Sequence, residues 1–215
     1  MTIIKKQNVI FISLIWFLSV LGYIWLIKQP FSQEIKWLAQ SHKQSLFIAL
    51  VLIKITGLVW PPLPGGVFNL AVIPFLGWQL AYLSDLTGTI IGALIDYYLA
   101  KKWGYKILDK IFNENTVNKI KNLKVISNRQ IEFSFMTTLS SRLLLTEISY
   151  FAAGLLKVNF WKFLVGAIGS HLLFGIPGYY FTGILFQANK IYLAVLSWIV
   201  LAPLWLIIKD RYFEN

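Results

Sequence analysis

Long uncharged runs separated by short charged breaks organise the whole chain. Residues 9–27 form a 19-residue run without charge, preceded by Lys5 and Lys6 and closed by Lys28, Gln29 and Pro30. As a helix it matches the thickness of a hydrocarbon core. Trp16, Tyr23 and Trp25 inside it do not fit the short apolar region and small-residue cleavage site of a signal peptide, so it reads as a membrane anchor. At 31–42, Phe31, Ile35 and Leu38 recur at helical spacing among polar residues, the pattern of a helix lying in the interface.

Between Lys54 and Asp85 lie 30 uncharged residues, yet their middle reads Trp60-Pro61-Pro62-Leu63-Pro64-Gly65-Gly66. Pro61, Pro62 and Pro64 remove backbone donors and fix φ, and two glycines follow, so no continuous helix passes through. Broken backbone at membrane depth survives only where protein or a wet cavity satisfies it. Residues 45–76 therefore read as a re-entrant hairpin, and 82–100 as a spanning helix ended by Lys101-Lys102-Trp103-Gly104. The stretch 101–129 holds eight basic residues and two acids, with apolar positions spaced for a pair of surface-lying amphipathic helices broken at 113–116. Residues 133–156, ended by Gly154, form a second re-entrant candidate. The runs 163–187 and 191–208 are each long enough to span.

Composition sharpens this picture. A composition of 57% hydrophobic and 13% charged residues argues against a soluble enzyme. No cysteine is present and only His42 and His171 are histidines, which removes disulfides, iron–sulfur clusters and multi-histidine metal centres; no metal or other cofactor is expected. The net charge of +11 is dispersed between hydrophobic runs rather than gathered in a stripe, which argues against nucleic acid and for anionic headgroups as partners. With both termini and the 101–129 loop cytoplasmic, and both hairpins returning to their side of entry, 14 basic residues fall inside and 4 outside, in keeping with the positive-inside rule. The tryptophans fall mostly near segment ends, as an interfacial belt would place them.

The plan repeats: hairpin 45–76 plus helix 82–100, then hairpin 133–156 plus helix 163–187, entering from opposite sides. Such inverted repeats of broken segments place a site near the bilayer midplane in many transporters. The expected fold is an all-α polytopic membrane protein with two re-entrant hairpins in an inverted repeat plus flanking transmembrane helices. Its parts are an anchor at 1–30, a membrane domain at 31–187 and a C-terminal helix and tail at 191–215.

Pro62-Leu63-Pro64-Gly65-Gly66, Tyr97-Tyr98-Leu99-Ala100-Lys101-Lys102-Trp103-Gly104, Ser141-Arg142-Leu143-Leu144-Leu145 leading to Ala152-Ala153-Gly154, Phe160-Trp161-Lys162-Phe163 and Gly178-Tyr179-Tyr180 occur in that order. Over roughly residues 43–183 this resembles the DedA/VTT-domain (SNARE-associated, TVP38-like) superfamily of membrane proteins. The resemblance implies re-entrant hairpins in inverted repeat and a part in moving phospholipid or polyprenyl-phosphate across bilayers, in some bacterial members with proton dependence. The chain departs from the best-known bacterial type. Gly66 and Lys54 stand where that type has acids, Ile148 replaces the second arginine of a pair whose first is Arg142, and Leu145 stands where many relatives have proline.

Arg142 at membrane depth costs several kcal/mol unless paired, hydrated or ligand-bound. Its fork suits a lipid phosphate, and it equally suits the broken hairpin's carbonyls or Glu147. Asp85, Gly88, Gly92 and Asp96 share one helical stripe: the glycines admit a close neighbour and the acids face the bundle interior. Asp85 is placed to pair with Arg142 or Lys54 or to relay a proton, whereas Asp96, one turn before Lys101, reads as an inner-headgroup residue. Lys54 and Glu147 read chiefly as partners for opposite charges. Ser170 and His171, adjacent on one helix, point about 100° apart and do not make a protease pair.

Arg142, Glu147, Asp85 and Lys54 are thus the candidate headgroup-binding residues, aided by half-helix N-termini at the breaks. Pro61, Pro62, Pro64, Gly65, Gly66, Gly88, Gly92, Asp96 and Gly154 are the candidate hairpin and packing residues. The expected role is transbilayer lipid movement in a bacterial-type plasma membrane, without covalent chemistry and so not enzymatic. Two alternatives stand beside it: a proton-coupled carrier of a small charged solute, and a membrane-organising factor that transports nothing. A homo-oligomer is left open.

Overall fold

The computed structural model describes residues 31–59, 65–111, 114–144, 148–188, 190, 193 and 212, without the side chains of residues 31, 32, 111, 140–144, 148 and 149. Among these residues every regular element is helical. The anchor at 1–30, the prolines Pro61, Pro62 and Pro64, Glu147 and nearly all of 191–215 lie outside them.

Helix α1 (Phe31–Ser41) meets α2 (Lys43–Val59) at a bend of 116° between Gln33–Ser41 and Lys43–Val59. Gln33, Glu34, Lys36, Gln40 and Ser41 are exposed, while Ile35, Leu38 and Ala39 pack on the core that contains Leu46, Leu50 and Tyr82, as the amphipathic spacing requires. Beyond the proline segment, α3 (Gly65–Ala71) folds back on α2: a Cβ added at Gly65 would lie 3.0 Å from the Cα of Lys54. The short α4 (Ile73–Leu76) ends at Gly77, whose φ of +79° is a left-handed value that glycine adopts without strain.

Helix α5 (Trp78–Ile111) corrects the expected boundary, since it runs straight through Lys101-Lys102-Trp103-Gly104 to Ile111. Gly104 is not a stop but a contact point: an added Cβ there would come within 2.7 Å of the Leu155 side chain. Asp96 is corrected with it. Only 4% exposed, it lies inside the bundle rather than among headgroups. Helix α6 (Glu114–Asn122) begins within the expected break and buries Val117 against Ala100, Leu108 and Leu155.

In the second half, α7 (Gln130–Leu144) and α8 (Ile148–Leu155) pack on each other, and Gly154, expected to end the segment, lies inside α8. Helix α9 (Phe160–Ser170) passes through a π-turn, His171–Gly175, into α10 (Ile176–Gln187). Together Phe160–Gln187 is 28 residues long and, among the described residues, the one unbroken helix long and apolar enough to cross a bilayer. Asn159 caps α9 through its side-chain oxygen, which accepts from Trp161 N–H at 3.1 Å and Lys162 N–H at 3.2 Å. Asn159→Ala is expected to lower stability by about 1 kcal/mol, read as an earlier unfolding midpoint in detergent.

One close helix crossing builds each half. Helices α2 and α5 run in the same direction, Lys54 against Gly88 and Leu58 against Gly92; an added Cβ would come within 2.6 Å of the Lys54 Cβ and 2.5 Å of the Leu58 Cδ1. Helices α7 and α9 cross in the same manner at Gly166, where an added Cβ would meet the Ile131 carbonyl and lie 2.7 Å from the Ser134 Cβ. The main core joins the halves through Tyr97. Its ring stacks on Phe163 at 5.1 Å, and its hydroxyl donates to the Val158 carbonyl at 2.6 Å.

Tyr212 is buried against this core, its hydroxyl donating to Glu132 Oε1 at 3.0 Å and its carbonyl accepting from Ile126 N–H at 3.0 Å. That ties the C-terminal tail to the end of the basic 101–129 stretch.

A buried charge cluster as candidate functional site

Beside its apolar core, the interior of this protein holds a polar cluster, and its exterior is rich in large apolar side chains. Lys54, Asn69, Ser84, Asp85, Thr89 and His171 are each no more than 5% exposed, while Leu52, Ile91, Leu172, Leu173, Phe174 and Phe181 are among the exposed residues. Exposed apolar side chains around a polar interior are what a hydrocarbon solvent selects.

The interior polar residues converge on Asp85. Lys54 of α2 reaches its Oδ1 at 3.0 Å, and both side chains are nearly inaccessible. Asn69 of α3 donates from Nδ2 to the same oxygen at 3.4 Å and accepts on Oδ1 from the Ser84 hydroxyl at 3.2 Å. The chain brings these residues together because α3 folds back along α2 and Gly88, which has no side chain, lets the Lys54 stem lie against α5. A buried ammonium and carboxylate at this distance each offset the other's desolvation; either alone would be costly.

The second half enters through His171. Its Nδ1 lies 4.0 Å from Asp85 Oδ2, its Nε2 lies 3.3 Å from the Tyr150 hydroxyl, and its carbonyl accepts from the Tyr82 hydroxyl at 3.2 Å. Tyr150 belongs to α8 and Tyr82 to α5. A line of polar groups thus runs from α2 and α3 through α5 and the π-turn after α9 to α8. Beside it, the buried hydroxyls of Thr89, Thr138 and Ser170 have no hydrogen-bond partner among the described residues. Ser170 therefore makes no hydrogen bond with its neighbour His171, and the two are not set as a nucleophile and base.

Of the sequence candidates, Lys54 and Asp85 meet each other, Gly65 and Gly88 lie against Lys54, and Gly92 lies against Leu58 one turn on. Gly66 lies in α3, and Gly154 holds α8 against α5 at Tyr97. Arg142 lies on α7, one turn after Thr138, with its side chain outside the described atoms; Glu147 lies outside the described residues. Asn69, Tyr150 and His171 were missed. Asn69 was visible as an amide inside a long uncharged run. His171 stands out in the sequence only as the neighbour of Ser170, and nothing in the local pattern points it toward Asp85.

The sequence model of the VTT domain matches residues 60–184, more than half of the chain. The chain belongs to the VTT-domain family. As a member of this DedA-like family it is a membrane protein, in agreement with its apolar exterior. It is also similar to the uncharacterized protein MJ0201 of Methanocaldococcus jannaschii, with 31% identity over 74 residues. That match covers 34% of this chain and 46% of the relative, so less than half of the relative's length is spanned. No solved structure matches. The VTT match begins at Trp60 and takes in Asn69, Asp85, Tyr150 and His171, while Lys54 precedes it.

Proposed function

We propose that this VTT-domain protein moves anionic lipid between the leaflets of a plasma membrane, the headgroup passing through the polar interior while the acyl chains stay in hydrocarbon. The observation that carries this reading is the buried Lys54–Asp85–His171 cluster beneath an apolar exterior, at the junction of two broken helix pairs. On this reading α2–α3 and α7–α8 are re-entrant hairpins in an inverted repeat. The recurrence of one glycine crossing, α2 on α5 and α7 on α9, supports it. Tyr212 beside Glu132 supports a C-terminal tail on the same side as the basic loop, the cytoplasmic side by charge bias.

Arg142 binds the lipid phosphate in this scheme, with Lys54 and Asp85 flanking the path and Glu147 resetting the arginine. No bond is made or broken, so the activity is transport rather than catalysis. The partners are lipids with anionic headgroups. Purified protein in liposomes carrying fluorescent phospholipid or polyprenyl-phosphate is expected to move the reporter without a pH gradient. Arg142→Ala is expected to insert normally and lower the rate to that of protein-free liposomes. Full activity in a well-inserted Arg142→Ala protein overturns the phosphate role, and no movement of any reporter overturns the lipid reading.

One observation favours a second reading, a proton-coupled carrier of a small charged solute: Asp85 stands between a lysine and a histidine. Flux of solute that follows a pH gradient and fails in Asp85→Asn would select it.

A further inference from the structure

We propose that the buried hydroxyls of Thr138 and Ser170, joined by that of Thr89, are the neutral hydrogen-bonding half of a phosphate site whose charged half is Arg142. This rests on the lipid-moving reading and deepens it, by naming the residues beside the arginine that recognise the phosphate group.

A hydroxyl inside a helix has a ready partner in the carbonyl one turn back. Elsewhere in this bundle that partner is taken. Ser134 donates to the Gln130 carbonyl at 2.8 Å, Thr137 to that of Phe133 at 2.8 Å, and Thr182 to that of Gly178 at 2.7 Å. Thr138, next to Thr137 on the same helix, makes no such bond, and neither do Thr89 and Ser170. All three residues are at most 3% exposed. Buried hydroxyls without a partner destabilise a fold, so three of them among helices that satisfy their other hydroxyls mark a place where a polar group from outside the chain belongs.

Helix register gathers them. Where α7 crosses α9, Gly166 lies against Ser134, and an added Cβ would fall 2.7 Å from the Ser134 Cβ. The two helices run in the same direction, and one turn further along them stand Thr138 and Ser170, level with each other. Helix α5 runs against α9, with Tyr97 stacked on Phe163 at 5.1 Å and Asp85 4.0 Å from His171. Thr89, one turn after Asp85, falls between these two contacts, beside the part of α9 that ends in Ser170. Arg142 follows Thr138 by one more turn, so Ser134, Thr138 and Arg142 occupy successive turns on one side of α7.

This combination suits a phosphate. A planar guanidinium fork engages two oxygens of the tetrahedral group, and hydroxyl donors supply hydrogen bonds to the others. Hydroxyls also bind an anionic oxygen without adding a further charge to the apolar bundle, which lets a headgroup leave as well as enter.

The test separates binding from folding. Thr138→Val keeps the shape and removes the hydroxyl, and Ser170→Ala does the same within one atom. Each is expected to melt in detergent no earlier than wild type, because an unpartnered hydroxyl is gone, and to slow movement of fluorescent phosphatidylglycerol in liposomes by about tenfold, the loss of one hydrogen bond to a charged group. Thr138→Ser keeps the hydroxyl and leaves a small cavity. It is expected to melt earlier and still move lipid at close to the wild-type rate. Full rates in Thr138→Val and Ser170→Ala, or rates that simply follow melting temperature across the set, overturn the proposal.

A second measurement needs no transport. Dihexanoyl-phosphatidylglycerol is expected to raise the melting temperature of the wild type above the effect of dihexanoylglycerol, which lacks the phosphate, and to lose that excess in the Thr138→Val/Ser170→Ala protein. The same excess with inorganic phosphate would support the site and identify free phosphate as a source. No phosphate-dependent shift in either arm overturns the proposal. A phosphate-dependent shift without movement of any lipid reporter would sink the lipid reading and leave the site standing; movement lost in Arg142→Ala but untouched in the hydroxyl variants would do the reverse.

Discussion

Lys54→Met is expected to cost the folded state about 3–5 kcal/mol, the loss typical of stripping one partner from a buried ion pair. Asp85 is 3% exposed, and without the ammonium at 3.0 Å it keeps the 3.4 Å hydrogen bond from Asn69 and the histidine 4.0 Å away. Neither replaces a full charge. Methionine keeps most of the aliphatic stem that lies against Gly88, so the loss is electrostatic and not a cavity effect. Adding Asp85→Asn should recover most of the stability, because the amide removes the orphaned charge and can still accept from Asn69. Unfolding of the wild type, both single variants and the double variant in one detergent closes the thermodynamic cycle. A Lys54→Met protein as stable as wild type would mean that the pair contributes nothing.

Gly154→Ala should be at least as severe, and Gly154→Val should leave no folded protein. An added Cβ at this position meets the carbonyl oxygen of Tyr97 and lies 3.0 Å from its carbonyl carbon and 2.9 Å from the Ala100 Cβ. Backbone cannot swing aside as a flexible side chain can. Tyr97 is also pinned by its hydrogen bond to Val158 and its stack on Phe163. Relief therefore requires α8 to lift from α5, and the cost exceeds the ~1–3 kcal/mol of ordinary overpacking. Gly178→Ala is the control, since an added Cβ there meets nothing within 4 Å, and it should be neutral or slightly stabilising. Size-exclusion profiles and melting in detergent separate the two; a monodisperse Gly154→Ala protein with wild-type melting would contradict the close crossing.

How far each feature was legible depends on how local its cause is. The amphipathic helix α1 and the small-residue stripe of Gly88 and Gly92 follow from period alone, so sequence and structure agree on them. The Lys54–Asp85 pair was legible as one of two pairings, because a charge in apolar surroundings has to find an opposite one. Gly104 misled for a physical reason. A glycine that ends a helix and a glycine that lets Leu155 approach look the same until the neighbour is known. Asp96 was displaced by the same error, since an early helix end put it at the membrane surface. His171 could not be read at all. It meets Tyr82 across 89 positions of sequence, and the π-turn that starts at it changes which face of the helix it occupies.

That π-turn sets a rule for chain length at this point. A π-turn holds one residue more than the α-helix around it, so losing any one residue between His171 and Gly175 would let the helix close into regular α form. The residues beyond would keep their faces, because the turn has absorbed the extra residue. The same loss within the regular turns of Phe160–Ser170 would instead rotate everything beyond it by roughly 100° about the axis. Tyr179 would swing away from Tyr82, and Thr182, now 3% exposed, would turn toward the outside. The five positions of the π-turn are thus where this span can lose a residue without re-indexing its C-terminal half.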